Sequence, residues 1–267
     1  MTTDTAAPAP HVQGVVDRLE RAETSRTPVG DDGTWPALTL DEAYAAQALL
    51  CARRTARGEH ETGLKLGFTS AAKMRQMGVS DLIVGRLTDA MRIAEGDLLD
   101  RTALIHPRVE PEVAFRVGRD VELAAPDADL VSSVDAVAPA MEVIDSRYEG
   151  FTFDLPRVVA DNTSAARYVT GAWMPLDPRA LGNLAVTLRT DGRDTALGST
   201  SAILGHPMRT LTRLQALGAR LGLRLRAGAV VLAGAATAAV PLPVGHVEVA
   251  IPTLGRVGIH VEGARDE

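Results

Sequence analysis

The run "HPRVEPEVAF" at residues 106–115 places two glutamates one residue apart inside an otherwise apolar stretch, with a proline between them. Side chains alternate across a β-strand, so Glu110 and Glu112 would leave on one face and Pro111 on the other. Proline cannot donate to a strand ladder, which predicts an edge strand or a bulge. Two carboxylates this close repel unless a cation sits between them or one keeps its proton. A third candidate, Glu142, stands in another apolar, strand-like run, "APAMEVIDSR". Three such carboxylates suit a hard divalent cation, Mg²⁺ or Mn²⁺, better than zinc. The competing reading is that all three are solvated or paired with nearby arginines such as Arg108 and Arg147.

The rest of the chain narrows the possibilities. With 267 residues, 46% of them hydrophobic, it is long enough for one large or two small globular domains with a real core. A net charge of −6 offers no basic surface for nucleic acid. The longest apolar run, "AGAVVLAGAATAAVPLPV", is broken by Gly and Pro and makes a poor membrane span. Residues 1–10 have neither a basic nor an apolar signal region and read as a disordered tail. The single cysteine, Cys51, excludes an internal disulfide framework and a cysteine-based zinc site. These features predict a cytoplasmic protein.

Residues 11–24 have the pattern of an amphipathic helix. A second helix is predicted from Thr39, where "TLDE" forms a capping box with Glu42, to near Gly58. Leu211, Leu214, Leu217 and Leu221 form one helical stripe. Between and after these come short strand-like pieces and glycine turns without a βαβ rhythm. The expectation is an α+β chain: a helical part at 11–95, then a β-rich catalytic part at 96–267.

Several longer stretches carry a resemblance. "GLKLGFTSAAKMRQMGV" (63–79), "HPRVEPEVAF", "EVIDSRYEGFTFDLPRVVADNTSAARYVTG" (142–171), "LGHP" and "TAAVPLPVG" span about four-fifths of the chain. Together they resemble the 2-keto-4-pentenoate hydratase/4-oxalocrotonate decarboxylase family of the fumarylacetoacetate hydrolase superfamily. That resemblance implies a mixed β-roll with flanking helices, like the fumarylacetoacetase C-terminal domain, and self-association. It implies Glu110, Glu112 and Glu142 as metal ligands and Lys65 as the active-site lysine. It places Asp161, Asn162 and Ser164 of "ADNTS" beside a bound 2-oxo acid, with Asp161 and Ser164 as further catalytic candidates. Leu66, Gly67 and Ile83 are expected at the substrate. Asp161 and Asp145 are also candidates for organising the site from behind.

Two chemistries share this substrate head. Hydratases add water to a 2-hydroxy-dienoate; decarboxylases release the far carboxylate of 2-oxo-3-hexenedioate. Hydratase-like members usually carry an aspartate two residues before the glycine matching Gly85, where this chain has Ile83. Asp81 is two residues away, a displacement of about 6–7 Å along a strand. Loss of CO₂ needs no base on carbon, and an apolar neighbour favours neutral CO₂ over carboxylate. The expectation is therefore a decarboxylase, with a hydratase, or a structural partner of one, as the alternative. A complex with a related hydratase is the family's further implication. His106 and His206 match the family, with structural roles as plausible as chemical ones. The neighbours His60 and Glu61 point to opposite faces of an extended segment and make a poor water-activating pair. Cys51 reads as packing. The chain departs from many relatives at Ala233, Gly234 and Ala235, which replace Thr-Gly-Gly, and at His246, which replaces Asp.

Overall fold

A computed structural model describes residues 8–70 and 82–263. Asp81 and residues 1–7 of the expected tail lie outside the described residues. The first helix, α1 (Pro10–Ser25), begins inside the stretch expected as tail, with proline in its first turn, where the missing N–H costs nothing. It buries Val12, Val15, Val16, Leu19 and Ala22, the i, i+3, i+4, i+7 stripe of a helix lying on a core. Helix α2 (Leu40–Ala56) starts at the expected capping box. The Thr39 hydroxyl accepts from the Glu42 amide at 3.2 Å, and the Glu42 carboxylate accepts from the Thr39 amide at 2.8 Å. Among the described residues three further α-helices follow: α3 (Leu130–Ser133), α4 (Leu155–Ala160) and α5 (Met208–Arg220).

Two sheets carry the molecule. The larger has β2 (Ile83–Thr88), β1 (Glu61–Gly67), β12 (Val230–Ala235), β4 (Arg108–Val117), β6 (Val134–Ile144) and β7 (Ala165–Thr170) in that spatial order. Short strands β8 (Met174–Pro175) and β13 (Val240–Pro241) extend it beside β6 and β4. The second sheet orders β10 (Arg193–Ser199), β9 (Ala185–Thr190), β14 (Gly245–Ile251), β15 (Gly255–Glu262) and β3 (Leu98–Asp100). A two-stranded ribbon pairs β5 (Val121–Glu122) with β11 (Arg224–Leu225). Because β1 and β2 precede residue 95 yet pair into the sheet that holds β4, the two expected parts share one sheet.

Alternation along β4 decides what each face meets. Val109, Val113, Phe115 and Val117 enter the core between the sheets, against Leu188, Val249, Val257 and Ile259. Leu211, Leu214 and Leu217 of α5 close that core from the side. Glu110, Glu112 and Ala114 therefore face the other way, toward the side covered by α1, α2 and α4. The edge-strand expectation from Pro111 is corrected here: β4 is interior, paired with β12 on one side and β6 on the other. The bulge expectation accounts for how proline is tolerated. The Pro111 carbonyl accepts from the Ala236 amide, so its nitrogen also faces β12, where the ladder shifts register between Leu232 and Ala235.

Glycines give a contrast that tests this packing. A Cβ on Gly63 would lie 1.9 Å from the Val230 carbonyl oxygen of the neighbouring strand, whereas one on exposed Gly14 of α1 meets nothing within 4 Å. Gly63→Ala should cost about 1–3 kcal/mol in urea unfolding, as overpacking does. Gly14→Ala should add about 0.5–1 kcal/mol through helix propensity.

Candidate metal centre

Three carboxylates converge on the helix-covered face of the large sheet. Glu110 sits directly opposite Glu142 across the β4–β6 ladder, and Glu112 follows two residues on. One oxygen from each lies within 4.8 Å of the others. Glu112 and Glu142 are buried and Glu110 is half-buried. Like charges directly opposed on antiparallel strands are destabilising, and burial adds to the cost. Burial first, then the charges of Glu142 and Glu110, push the Glu112 carboxyl well above the usual carboxylate range.

The hydrogen bonding shows what is missing. Glu112 Oε2 accepts from the Gly234 amide at 2.7 Å, but its Oε1 and both oxygens of Glu142 have no hydrogen-bond donor. Buried acceptors are normally satisfied, and unpartnered oxygens in a cluster this close fit an oxygen-coordinated divalent cation. Among the described residues no other group of three potential ligands gathers this way. Gly234 contributes by its backbone: φ is +105°, and a Cβ would lie 2.0 Å from Thr69 Oγ1.

Lys65, on β1, is 3% exposed and reaches the same point. Its Nζ lies 3.0 Å from Glu142 Oε1 and donates to the Thr163 carbonyl at 3.0 Å. The approach to Glu142 is an ion pair rather than an aligned hydrogen bond, which leaves the carboxylate open to another ligand. Burial alone would lower the Lys65 pKa; Glu142, Glu110 and Glu112 more than offset it, and the ammonium is held above its usual range.

The "ADNTS" segment supplies that carbonyl from a costly conformation. Asn162, Thr163 and Ser164 all have positive φ, of 48°, 53° and 59°. Left-handed non-glycine residues cost about 1–2 kcal/mol each, so the surroundings must impose the turn. Asn162 does so by a two-point clamp on β2: its Oδ1 accepts from the Arg86 amide at 2.8 Å and its Nδ2 donates to the Arg86 carbonyl at 2.9 Å. Asp161 is fully buried and receives the Arg147 guanidinium. Burial raises the Asp161 pKa to about 6 although Arg147 opposes the shift. Ser164 Oγ leans on Asp161 at 3.4 Å. Gly85 leaves room for the turn, since a Cβ there would lie 2.2 Å from Thr163 Oγ1.

The other expected residues separate by face. Gly67 and Ile83 pair across β1 and β2 on the same face as Lys65, and Ile83 packs among Val12, Leu50 and Phe68 beneath the helices. Leu66 differs from the expectation: alternation turns it into the core between the sheets, away from Lys65. Asp145 accepts from the Ile105 and His106 amides, both at 2.8 Å, and so anchors the approach to β4. Neither arginine of the competing reading pairs with the triad, since Arg147 serves Asp161 and Arg108 lies over Phe151. His206 caps α5 through the Met208 amide, and His60 and Glu61 hold Asp89 and Arg86 separately. Cys51 is buried, its thiol pushed up to about 12. Sequence reasoning missed Thr163, whose contribution is a main-chain oxygen, and Gly85, whose contribution is empty space.

Comparison with known proteins agrees with this geometry. The fumarylacetoacetate (FAA) hydrolase C-terminal family model matches residues 65–262. A 4-oxalocrotonate decarboxylase from a Pseudomonas species is 45% identical over 259 residues, covering 95% of this chain and 99% of that protein. A 2-keto-4-pentenoate hydratase from Paraburkholderia xenovorans (strain LB400) is 34% identical, covering 76% of each. The structure of 4-oxalocrotonate decarboxylase from Pseudomonas putida G7, complexed with magnesium and adipate, superposes with a TM-score of 0.87 at 36% identity, covering 94% of this chain and 97% of that one. The chain belongs to the fumarylacetoacetate hydrolase C-terminal family, in the branch of 4-oxalocrotonate decarboxylases and 2-keto-4-pentenoate hydratases.

Proposed function

We propose that this chain decarboxylates 2-oxo-3-hexenedioate, or a close 2-oxo acid, to a 2-hydroxy-2,4-dienoate and CO₂. The observation that carries the reading is the carboxylate triad, with Glu112 Oε1 and both Glu142 oxygens buried without a hydrogen-bond donor, beside a charged Lys65 and with apolar Ile83 in place of an acid. The 45% identical decarboxylase and the magnesium-bound structure support it. Glu110, Glu112 and Glu142 would hold a divalent cation, Mg²⁺ or Mn²⁺, which would supply Lewis acidity to the bound 2-oxo acid.

In the reaction the bond to the far carboxylate breaks and its electron pair moves through the double bond to the keto oxygen. Lys65, kept charged by its carboxylate neighbours, donates a hydrogen bond toward that oxygen and carries the proton that completes the enol. Thr163 fixes where the ammonium sits. Asp161 and Asn162 act through Arg147 and Arg86 to hold the turn, and Ser164 braces Asp161. Gly67 leaves space beside Ile83, and the apolar surroundings of Ile83 disfavour a retained carboxylate. Self-association and pairing with a related hydratase follow from the family reading. The intact triad and Lys65 favour an active subunit over a purely structural one.

Incubation with 2-oxo-3-hexenedioate should release CO₂ in the presence of Mg²⁺ and not with EDTA. Consumption of 2-hydroxypenta-2,4-dienoate without any CO₂ release would instead identify a hydratase. Mg²⁺ should raise the thermal midpoint of the wild type, equivalent to about 2.7 kcal/mol at a hundred times Kd. Glu142→Gln should lose most of that rise. Lys65→Met should lower kcat about a hundredfold or more while keeping a Mg²⁺-dependent midpoint.

A further inference from the structure

A cleft of about 570 Å³ opens at the start of β4, lined by His106, Arg108, Phe151 and Leu242 among others, with no acidic side chain among the described residues of its lining. In a chain of net charge −6, the Arg108 guanidinium in a cleft near a carboxylate triad suits an organic anion. Arg108 connects the two places. It precedes Glu110 by two residues on a ladder with no irregularity at that point, so its side chain leaves on the triad's face. The Cα spacing is about 7 Å.

The cleft is built around this arginine. The Arg108 guanidinium lies 4.3 Å from the centre of the Phe151 ring, and among the described residues it has no carboxylate partner. Phe151 is held at φ 59°, next to Gly150 at 60°, a conformation that a bulky residue adopts only when the surroundings impose it. The His106 ring packs on the same phenyl at 4.9 Å and is fixed by the Ser146 carbonyl at 2.8 Å. An arginine stacked on an aromatic face keeps its planar edge free for a carboxylate.

We propose that Arg108 receives the carboxylate adjacent to the 2-oxo group and so decides which end of a dicarboxylic 2-oxo acid meets the glutamates. The inference rests on the 2-oxo acid reading above. An arginine stabilises a charged carboxylate and would oppose its conversion to neutral CO₂, so it belongs with the carboxylate that stays. The leaving end then extends away from Arg108, past Lys65 at the keto oxygen and toward apolar Ile83, three strands from β4.

Calorimetric binding to the Mg²⁺-loaded protein tests this without turnover. Pyruvate offers only the retained end; 2-oxoadipate offers both ends. Arg108→Met should weaken both acids by the same factor, about tenfold or more, and Arg108→Lys by less. Mg²⁺ affinity and the thermal midpoint should not fall, as they would after a purely structural disruption. A loss confined to 2-oxoadipate would place the arginine at the far carboxylate and overturn the assignment. Unchanged binding of both would remove Arg108 from the site. A wild type that binds neither acid would overturn the 2-oxo acid reading itself, and the inference with it.

Discussion

Everything around the site answers to the repulsion among Glu110, Glu112 and Glu142. Strand pairing forces the first and third to face each other, and the helices above bury the second and third. Lys65 places a positive charge beside these acids, and its contact with Glu142 leaves both of that residue's oxygens without a hydrogen bond. A buried ion pair by itself is weak support for stability. The arrangement makes physical sense as a receptor for a cation, whose binding is how a stable fold can keep an unfavourable cluster.

That cluster works only if Lys65 is aimed correctly, and its aim depends on main-chain geometry. The Thr163 carbonyl reaches the ammonium because three consecutive residues adopt left-handed conformations. Those conformations are imposed by the Asn162 clamp on Arg86 and by the buried Arg147–Asp161 pair. Arg147 also donates to the Asp145 carbonyl, while the Asp145 side chain holds the two amides that lead into β4. The same few buried charges therefore fix both the lysine side and the glutamate side of the site.

The parts legible in the sequence were those with a local cause. The capping box at Thr39 and the shared face of Glu110 and Glu112 follow from neighbours three and two residues apart. Glu142 stood out because an acid in an apolar strand needs a reason. The interior position of β4 was not legible, because a bulge on β12, distant in sequence, is what tolerates Pro111. The left-handed turn was hidden for a similar reason: Asn-Thr-Ser contains no glycine, and the imposing contacts come from Arg86 on β2 and from Arg147 in the loop after β6. Gly85 marks the close approach from the opposite side, but only the packed structure shows what it clears.

Ile83 bears on why this centre carries no further acid. It lies on the face of Lys65, pairs with Gly67, and belongs to the apolar cluster that includes Val12, Leu50, Phe68 and Val159. An aspartate there would be a buried charge within an apolar cluster, at a site where one ammonium already faces three carboxylates. It would have to take up a proton or recruit water and a cation to persist. On the decarboxylase reading proposed above, isoleucine keeps that end of the site apolar, which penalises a substrate carboxylate while leaving CO₂ unaffected. The electrostatic economy of the triad and the chemistry of losing CO₂ thus favour the same side chain at this position.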